Sequence, residues 1–195
     1  MKAIIAAALA LCASLHAAAG EPGPEKAQDE AVERCAAVFV DVGGALPPQK
    51  LREVAARVSA NLGVRIDTNS TERTALAGLT DGTEVPVKSA GKGQVVFVFF
   101  RDSPAAPAVV ASPRRWAVVN IAPLVADKPA PTLLSERMAK VALRGLAYAC
   151  GCGTTMEANC LMSPRCDTLA GLDDAPFAIS PTAYIPMMEF LTPAE

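Results

Sequence analysis

The spacing of apolar positions predicts a β-α-β unit at the start of the folded part of the chain. Residues Cys35 to Val42 form a short apolar run that ends at two consecutive glycines, which is typical of a buried strand. Apolar residues at helical spacing follow Pro48, and Val64 to Asp67 then alternates as a strand does. The helix-spaced residues are Leu51, Val54, Ala55, Val58 and Leu62, with Gly63 at the predicted end. This order favours two parallel strands.

Further strands are predicted along the middle of the chain. Gln94 to Phe100 is the most strand-like run, because it is continuous, β-branched and aromatic, and we expect a central strand buried on both faces. Val109-Val110 and Arg115 to Ile121 are strand candidates, and Val85 to Lys88 is a candidate edge strand. Thr68 to Thr83 is polar and is predicted to be a loop.

A long amphipathic helix is predicted after the last strand. Ser135 is a suitable N-cap, and Glu136 would lie in the first turn, where the helix dipole favours an anion. Gly151 and Gly153 are predicted to end the helix. Its apolar face is expected to hold Met138, Val141, Ala142, Leu146, Ala149 and Cys150. Leu169 to Ala178 has no clear period, and a short terminal helix around Tyr184 to Leu191 would be limited by Pro186.

The first residues have the pattern of an export signal. Lys2 is followed by the apolar run Ala3 to Leu11 and then by small residues, which predicts a cleaved signal peptide over residues 1–20. A polar leader over residues 21–33 would precede a single domain over residues 34–195. The protein is therefore expected to be secreted or periplasmic, without a transmembrane segment. A lipoprotein anchor at Cys12 is disfavoured, because Leu11 stands where a small residue is usual.

Charge and histidine content exclude several classes of function. The 18 basic and 20 acidic residues give a net charge of −2 without a basic cluster, so no nucleic-acid partner is indicated. The single histidine is His16, which lies in the predicted signal peptide. A mature chain without imidazole excludes Ser-His-Asp and Cys-His nucleophiles and the usual histidine-bound catalytic zinc.

Five cysteines remain in the predicted mature chain: Cys35, Cys150, Cys152, Cys160 and Cys166. In an exported protein the favoured interpretation is disulfide bonding, and the odd number leaves at least one thiol unpaired or bound to another group. A structural zinc on the last four is the less favoured alternative, because zinc knuckles prefer C-x2-C pairs. A redox role for the C-x-C pair is disfavoured, because a helix C-terminus disfavours thiolate.

The end of the long helix resembles a metal-binding motif. Residues 144–154 have the frame of the metzincin motif HExxHxxGxxH, and Gly151 falls on the motif glycine. Arg144 and Tyr148 stand at the two helix histidines, Gly145 stands at the glutamate, and Thr154 stands at the third histidine. The archaemetzincins extend this motif with a cysteine, four residues, a second cysteine, one residue and a methionine. Thr155 replaces the first of these cysteines, whereas Cys160 and Met162 are in register.

The resemblance to archaemetzincin implies a fold and a lost centre. It implies an α/β (α+β) metzincin-like domain, with a mixed twisted sheet and two main helices, the second of which carries the motif. It also implies a second, structural zinc held partly by Cys-x-x-Cys, but the corresponding positions are Ser180 and Ala183. Arg144 cannot ligate zinc because guanidinium has only donors, and Gly145 has no side chain to act as a base. We therefore expect no catalytic residue, no metal and no cofactor at the motif positions.

Two functions remain open at this stage. The first is a non-catalytic pseudo-peptidase that acts as a binding or structural module for an unknown protein or peptide ligand. The alternative is a hydrolase or peptidase with a histidine-free centre in the remnant cleft between the central sheet and the helix over residues 135–150. An ion pair between Arg144 and a carboxylate in the old zinc position would favour the first, and an open cleft next to Tyr148 with two converging carboxylates would favour the second. The adjacent carboxylates Asp173 and Asp174 are expected to be solvated turn residues.

Overall fold

The structure is a computed structural model, and it describes residues 35–71, 95–103, 109–112 and 116–192. The predicted signal peptide, the leader, Cys12 and the edge strand Val85 to Lys88 lie outside the described residues.

Five strands form one mixed sheet in the described part of the chain. They are β1 (Cys35–Val42), β2 (Arg65–Thr71), β3 (Val96–Arg101), β4 (Val109–Ser112) and β5 (Trp116–Asn120). Their order across the sheet is β2-β1-β3-β5-β4. The first four strands in this order are parallel to their neighbours, whereas β4 pairs antiparallel with β5 at the edge. The parallel pair β1 and β2, joined by a helix, confirms the predicted β-α-β unit.

Two long helices pack on this sheet. The helices are α1 (Pro48–Leu62), α2 (Ala122–Val125), α3 (Pro131–Ala149), α4 (Leu169–Asp174) and α5 (Pro181–Leu191), with a 3-10 turn at Pro164–Asp167. Helix α1 contacts β1 and β2, α3 contacts β3, β4 and β5, and the two helices contact each other. No helix in the described ranges is both long and apolar enough to cross a membrane. The mixed sheet with two main helices confirms the predicted fold class.

The core lies between the sheet and the apolar faces of α1 and α3. All five helix-spaced residues of α1 are at most 4% exposed, and so are five of the six predicted on α3, Cys150 being 6% exposed. Gly145 faces the sheet so closely that a Cβ there would lie 3.1 Å from Val119 Cγ2 and 3.4 Å from Ala117 Cβ. The absence of a side chain at residue 145 therefore allows α3 to approach β5.

Three element predictions are corrected by the structure. Helix α3 begins at Pro131, with Ala130 and not Ser135 as its N-cap, because proline suits a first turn whose N–H groups lack helical partners. The Ser135 hydroxyl instead donates to the Pro131 carbonyl. Strand β2 continues to Thr71, because parallel pairing with β1 outweighs its polar composition. Strand β3 is central, but Phe97 and Phe99 on one of its faces are only half-buried.

Helix α3 ends in a glycine cap, as predicted. Gly151 has a φ of 92°, and its N–H donates to the Tyr148 carbonyl. The N–H of Cys152 donates to the Ala147 carbonyl, which completes a Schellman motif. The left-handed conformation at residue 151 is the reason that this position requires glycine.

Replacing Gly151 with alanine is expected to lower the free energy of unfolding by about 1–2 kcal/mol, because a Cβ is strained at positive φ. Gly153 is the matched control, since it is not in the left-handed region and a Cβ there would meet no atom within 4 Å. Gly153→Ala is expected to change stability by less than about 0.5 kcal/mol. Chemical denaturation of both variants measures the difference, and equal effects would contradict the role of the cap.

Candidate functional site

The structure brings Arg144 and Tyr148 together on one side of α3. Arg144 is only 3% exposed, and its Nη2 donates to the Tyr148 hydroxyl at 3.2 Å. The same Nη2 donates to Asp167 Oδ1 at 2.8 Å, and Nη1 donates to the Cys166 carbonyl at 2.7 Å. The guanidinium therefore joins α3 to the 3-10 turn, with an ion pair between Arg144 and Asp167.

The other predicted motif positions are dispersed around the end of α3. Gly145 faces the sheet, as described above, and is buried against strands rather than open to a cleft. Gly151 caps the helix, and Thr154 is exposed in the loop that follows. Thr154 also lines a shallow cleft, so it remains near the end of α3 without any contact to Arg144 that the structure shows.

This cleft has a volume of about 390 Å³ and lies between the loop after α3 and helix α5. Its described lining consists of Gly151, Cys152, Gly153, Thr154, Thr155, Glu157, Thr182, Ala183 and Pro186. Glu157 is the single carboxylate in that lining, and its Oε1 accepts a hydrogen bond from the Thr182 hydroxyl at 2.7 Å. Tyr148 and a second carboxylate are both missing from this described lining, so the cleft differs from the one next to Tyr148 in which two converging carboxylates would favour an enzyme.

Residues Cys160 to Met162, which are in register with the cysteine and methionine of the archaemetzincin pattern, form a buried segment that we call the methionine turn. Cys160, Leu161 and Met162 are each 0% exposed. The Met162 carbonyl accepts from the Thr155 N–H at 3.1 Å, and the Leu161 N–H donates to the Ala178 carbonyl at 2.9 Å. The turn thus holds together the loop after α3 and the segment that leads into α5.

The five described cysteines are free thiols, so the predicted disulfides are not formed in the structure. Four of the sulfur atoms have hydrogen-bond partners in the backbone instead. The Cys35 and Cys152 thiols donate to the carbonyls of Ala37 and Ala183, and Cys166 donates to those of Cys160 and Gly171. Cys160 Sγ accepts from the N–H groups of Met162 at 3.3 Å and Ser180 at 3.2 Å.

Three of these thiols are poor nucleophiles because their surroundings favour the protonated form. Burial, and then the charge of Asp67, raises the pKa of the Cys35 thiol to about 11. Burial also raises the pKa of Cys150 and of Cys152, and for Cys150 the neighbouring Cys152 adds to the increase. A cysteine-based centre at the C-x-C pair is therefore disfavoured.

Sequence reasoning missed a stripe of buried cations on α3. Arg137, Lys140 and Arg144 are 2%, 1% and 3% exposed, respectively, although all three carry a positive charge. The Lys140 ammonium donates to the carbonyls of Leu172 and Asp173, both at 3.0 Å, and lies 2.9 Å from Glu136 Oε1. The sequence signal for this stripe was the spacing of three and four residues, because that spacing places all three cations on one side of the helix.

Arg137 uses all five of its N–H donors. Two go to Asp173 through Nε and Nη2, two go to Asp127 through Nη1 and Nη2, and one goes to the Leu124 carbonyl. These bonds hold the pKa of Asp173 and the pKa of Asp127 below the ordinary aspartate value. The prediction that Asp173 is a solvated turn residue is wrong, because its carboxylate anchors a buried guanidinium.

The residues present do not fit the zinc ions that an archaemetzincin-like fold implies. At the motif positions, Arg144 offers only donors, the Tyr148 hydroxyl is engaged by Arg144, and Gly145 has no side chain. At the two positions of the structural Cys-x-x-Cys pair, Ser180 and Ala183 supply no thiolate. Within the described ranges, no three His, Cys, Asp or Glu side chains are gathered to hold a metal ion.

Comparison with known proteins identifies the fold. The crystal structure of archaemetzincin from Methanopyrus kandleri matches with a TM-score of 0.58 and 20% identity, over 82% of this chain and 96% of that one. A zinc-dependent peptidase from Methanocorpusculum labreanum (strain Z) matches with a TM-score of 0.56 and 14% identity, over 77% and 99% of the two chains. The structure of archaemetzincin from Archaeoglobus fulgidus, complexed with malonate, matches with a TM-score of 0.53 and 12% identity, over 77% of this chain and 99% of that one.

The chain therefore has an archaemetzincin-like fold, which confirms the predicted resemblance. No protein-family model matches the sequence, and no curated protein matches it. At these identities the likeness defines the fold alone, so the chemistry has to be argued from the residues of this chain.

Proposed function

We propose that this protein is a pseudo-peptidase: an exported, archaemetzincin-like domain that acts as a binding or structural module without peptidase chemistry. The observation that carries the proposal is the buried Arg144 guanidinium, which is bonded to Asp167, Cys166 and Tyr148. The sequence register assigns this residue to the first ligand position of the motif. A cation at that position repels a metal ion and supplies no lone pair to bind one.

The positions of the structural zinc lack thiolates as well. The resemblance implies a zinc held partly by Cys-x-x-Cys, and Ser180 and Ala183 stand at the two cysteine positions. An alanine side chain cannot ligate zinc, and a serine hydroxyl is a poor substitute for a thiolate. The Ser180 N–H instead donates to Cys160 Sγ at 3.2 Å.

The alternative, a hydrolase with a histidine-free centre, has less support. Glu157 is the single carboxylate along the described lining of the cleft, and it is engaged by Thr182. The neighbouring Cys152 thiol is held protonated by burial. A general base and a nucleophile within reach of each other are therefore missing from this set of residues.

Metal content is the first test of the proposal. Purified protein, dialysed and analysed by elemental mass spectrometry, is expected to contain less than stoichiometric zinc, because neither set of positions offers three ligands. One zinc per chain would overturn the proposal that the metal sites are lost. In that case Cys160→Ser would show whether the zinc depends on the cysteine of the methionine turn.

A further inference from the structure

The two arginines of the α3 stripe differ in how completely they are bonded. Arg137 presents Nε and Nη2, the two donors on one edge of the guanidinium, to both oxygens of Asp173. At Arg144 the same edge is half used: Nη2 donates to a single oxygen of Asp167 and to the Tyr148 hydroxyl, and Nε has no hydrogen-bond partner among the described residues. A buried guanidinium N–H without a partner is costly, so this edge favours a second acceptor oxygen.

The partner of Arg144 is also the more exposed carboxylate. The Asp167 side chain is 66% exposed, whereas the Asp173 side chain is 26% exposed and the Arg144 side chain is 3% exposed. The other anchor of Arg144 in the 3-10 turn is the Cys166 carbonyl, which belongs to the backbone. The Asp167 side chain can therefore rotate into solvent while the turn keeps its contact with α3.

We propose that Arg144 is a binding site for a carboxylate ligand, and that Asp167 occupies this site when the ligand is absent. An incoming carboxylate would bond Nε and Nη2 together, as Asp173 does at Arg137, and so supply the acceptor that Asp167 does not. This proposal rests on the proposed binding function, because it names the ligand chemistry of the same position on α3. The carboxylate is either the C-terminus of a peptide or a small free acid.

The experiment follows the Nε–H resonance of Arg144 in ¹⁵N-labelled protein during titration with sodium acetate at constant ionic strength. Asp167→Asn removes the competing charge, so we expect it to bind acetate at least tenfold more tightly than the wild type. Asp127→Asn is the matched control, because it also removes a half-exposed carboxylate from a stripe arginine but leaves Arg144 unchanged. It is expected to bind acetate as the wild type does.

A second titration distinguishes the two sources of the carboxylate. Trialanine with a free C-terminus is compared with its amide, and tighter binding of trialanine than of acetate identifies a peptide C-terminus. Equal binding of trialanine and acetate identifies a small free acid. Arg144→Lys keeps the charge without the two-donor edge, and calorimetry is expected to show at least tenfold weaker binding of either ligand.

Two results would overturn the carboxylate site. One is the absence of a saturable shift in Asp167→Asn and in the wild type, and the other is equal acetate affinity in the Asp167→Asn and Asp127→Asn variants. If Asp167→Asn does not fold, Asp167→Ser removes the same charge with a smaller side chain. Neither result bears on metal content, so failure of this site and failure of the pseudo-peptidase proposal are separate observations.

Discussion

Replacing Arg137 with methionine is expected to lower the free energy of unfolding by about 3 kcal/mol, because it removes a buried cation whose five donors are all engaged. The Leu124 carbonyl would lose its charged donor, and the carboxylates of Asp127 and Asp173 would lose the charge that holds them on α3. Chemical denaturation at neutral pH measures the loss.

Arg65→Met is the matched control for this change. Arg65 also donates through Nε and Nη2 to both oxygens of one aspartate, Asp67. The Arg65 side chain is 46% exposed, so solvent screens this pair and its removal is expected to cost less than about 1 kcal/mol. If the two variants lose similar amounts of unfolding free energy, burial is not the reason that the hydrogen bonds of Arg137 are strong.

The Arg137→Met variant also tests the pH dependence of stability. Arg137 holds the pKa of Asp127 and of Asp173 below the ordinary aspartate value. The stability that these two ionised carboxylates contribute is therefore fully present at a pH above the ordinary aspartate pKa. It is lost as the pH falls through the lowered pKa of the folded state. The wild type should therefore lose stability more steeply than Arg137→Met between about pH 5 and pH 3. Parallel curves for the two proteins would contradict the coupling.

The apolar pattern was sufficient to predict most of the sheet and both main helices, because burial on the sheet decides those elements. Strand β1 and the end of α1 at Gly63 follow the prediction, and the α3 residues predicted to be apolar are buried. The first turn of α3 was missed because Ser135 is a better N-cap than Ala130 by propensity. Pro131 decided the outcome, since its fixed φ suits the first helical position.

The candidate site was predictable in position but not in its bonding. The motif frame identified Arg144 and Tyr148 as neighbours, and they are in contact. The burial of Arg137 and Lys140 was not predicted, because charged residues on an amphipathic helix are ordinarily solvated. The residues that cover them, such as Leu172 and Asp173, come from a segment without clear periodicity, so their placement depends on tertiary contacts alone.

The disulfide prediction has a different basis, and the structure does not form these bonds. It followed from a predicted compartment, since an export signal together with five cysteines favours disulfide bonding. The local chemistry instead assigns the sulfur atoms to the backbone, with Cys160 accepting two N–H bonds inside the methionine turn.

Replacing Arg144, Tyr148 and Thr154 together with histidine is expected to create a zinc site, with one zinc per chain surviving dialysis. The contact between Arg144 Nη2 and the Tyr148 hydroxyl shows that side chains at positions 144 and 148 meet on one side of α3. Three imidazole ligands are sufficient for a zinc site with an open position. Elemental mass spectrometry measures the gain, and circular dichroism establishes that the variant is folded.

The double variant Arg144→His/Tyr148→His is the control for the third ligand. It lacks the histidine at position 154, so it is expected to lose its zinc on dialysis while the triple variant keeps it. If the folded triple variant binds no more zinc than the double variant, Thr154 does not occupy the third ligand position, and the motif register is wrong.

The triple variant is also expected to remain inactive toward casein, because zinc binding and peptide hydrolysis require different residues. A base must accept the proton of the attacking water, and Gly145 supplies none. A Cβ at residue 145 would already lie 3.1 Å from Val119 Cγ2, so a glutamate could enter only if β5 or α3 moved. Casein hydrolysis by the triple variant, absent from the wild type, would show that another residue supplies the base. Loss of the glutamate would then be a poor guide to loss of activity.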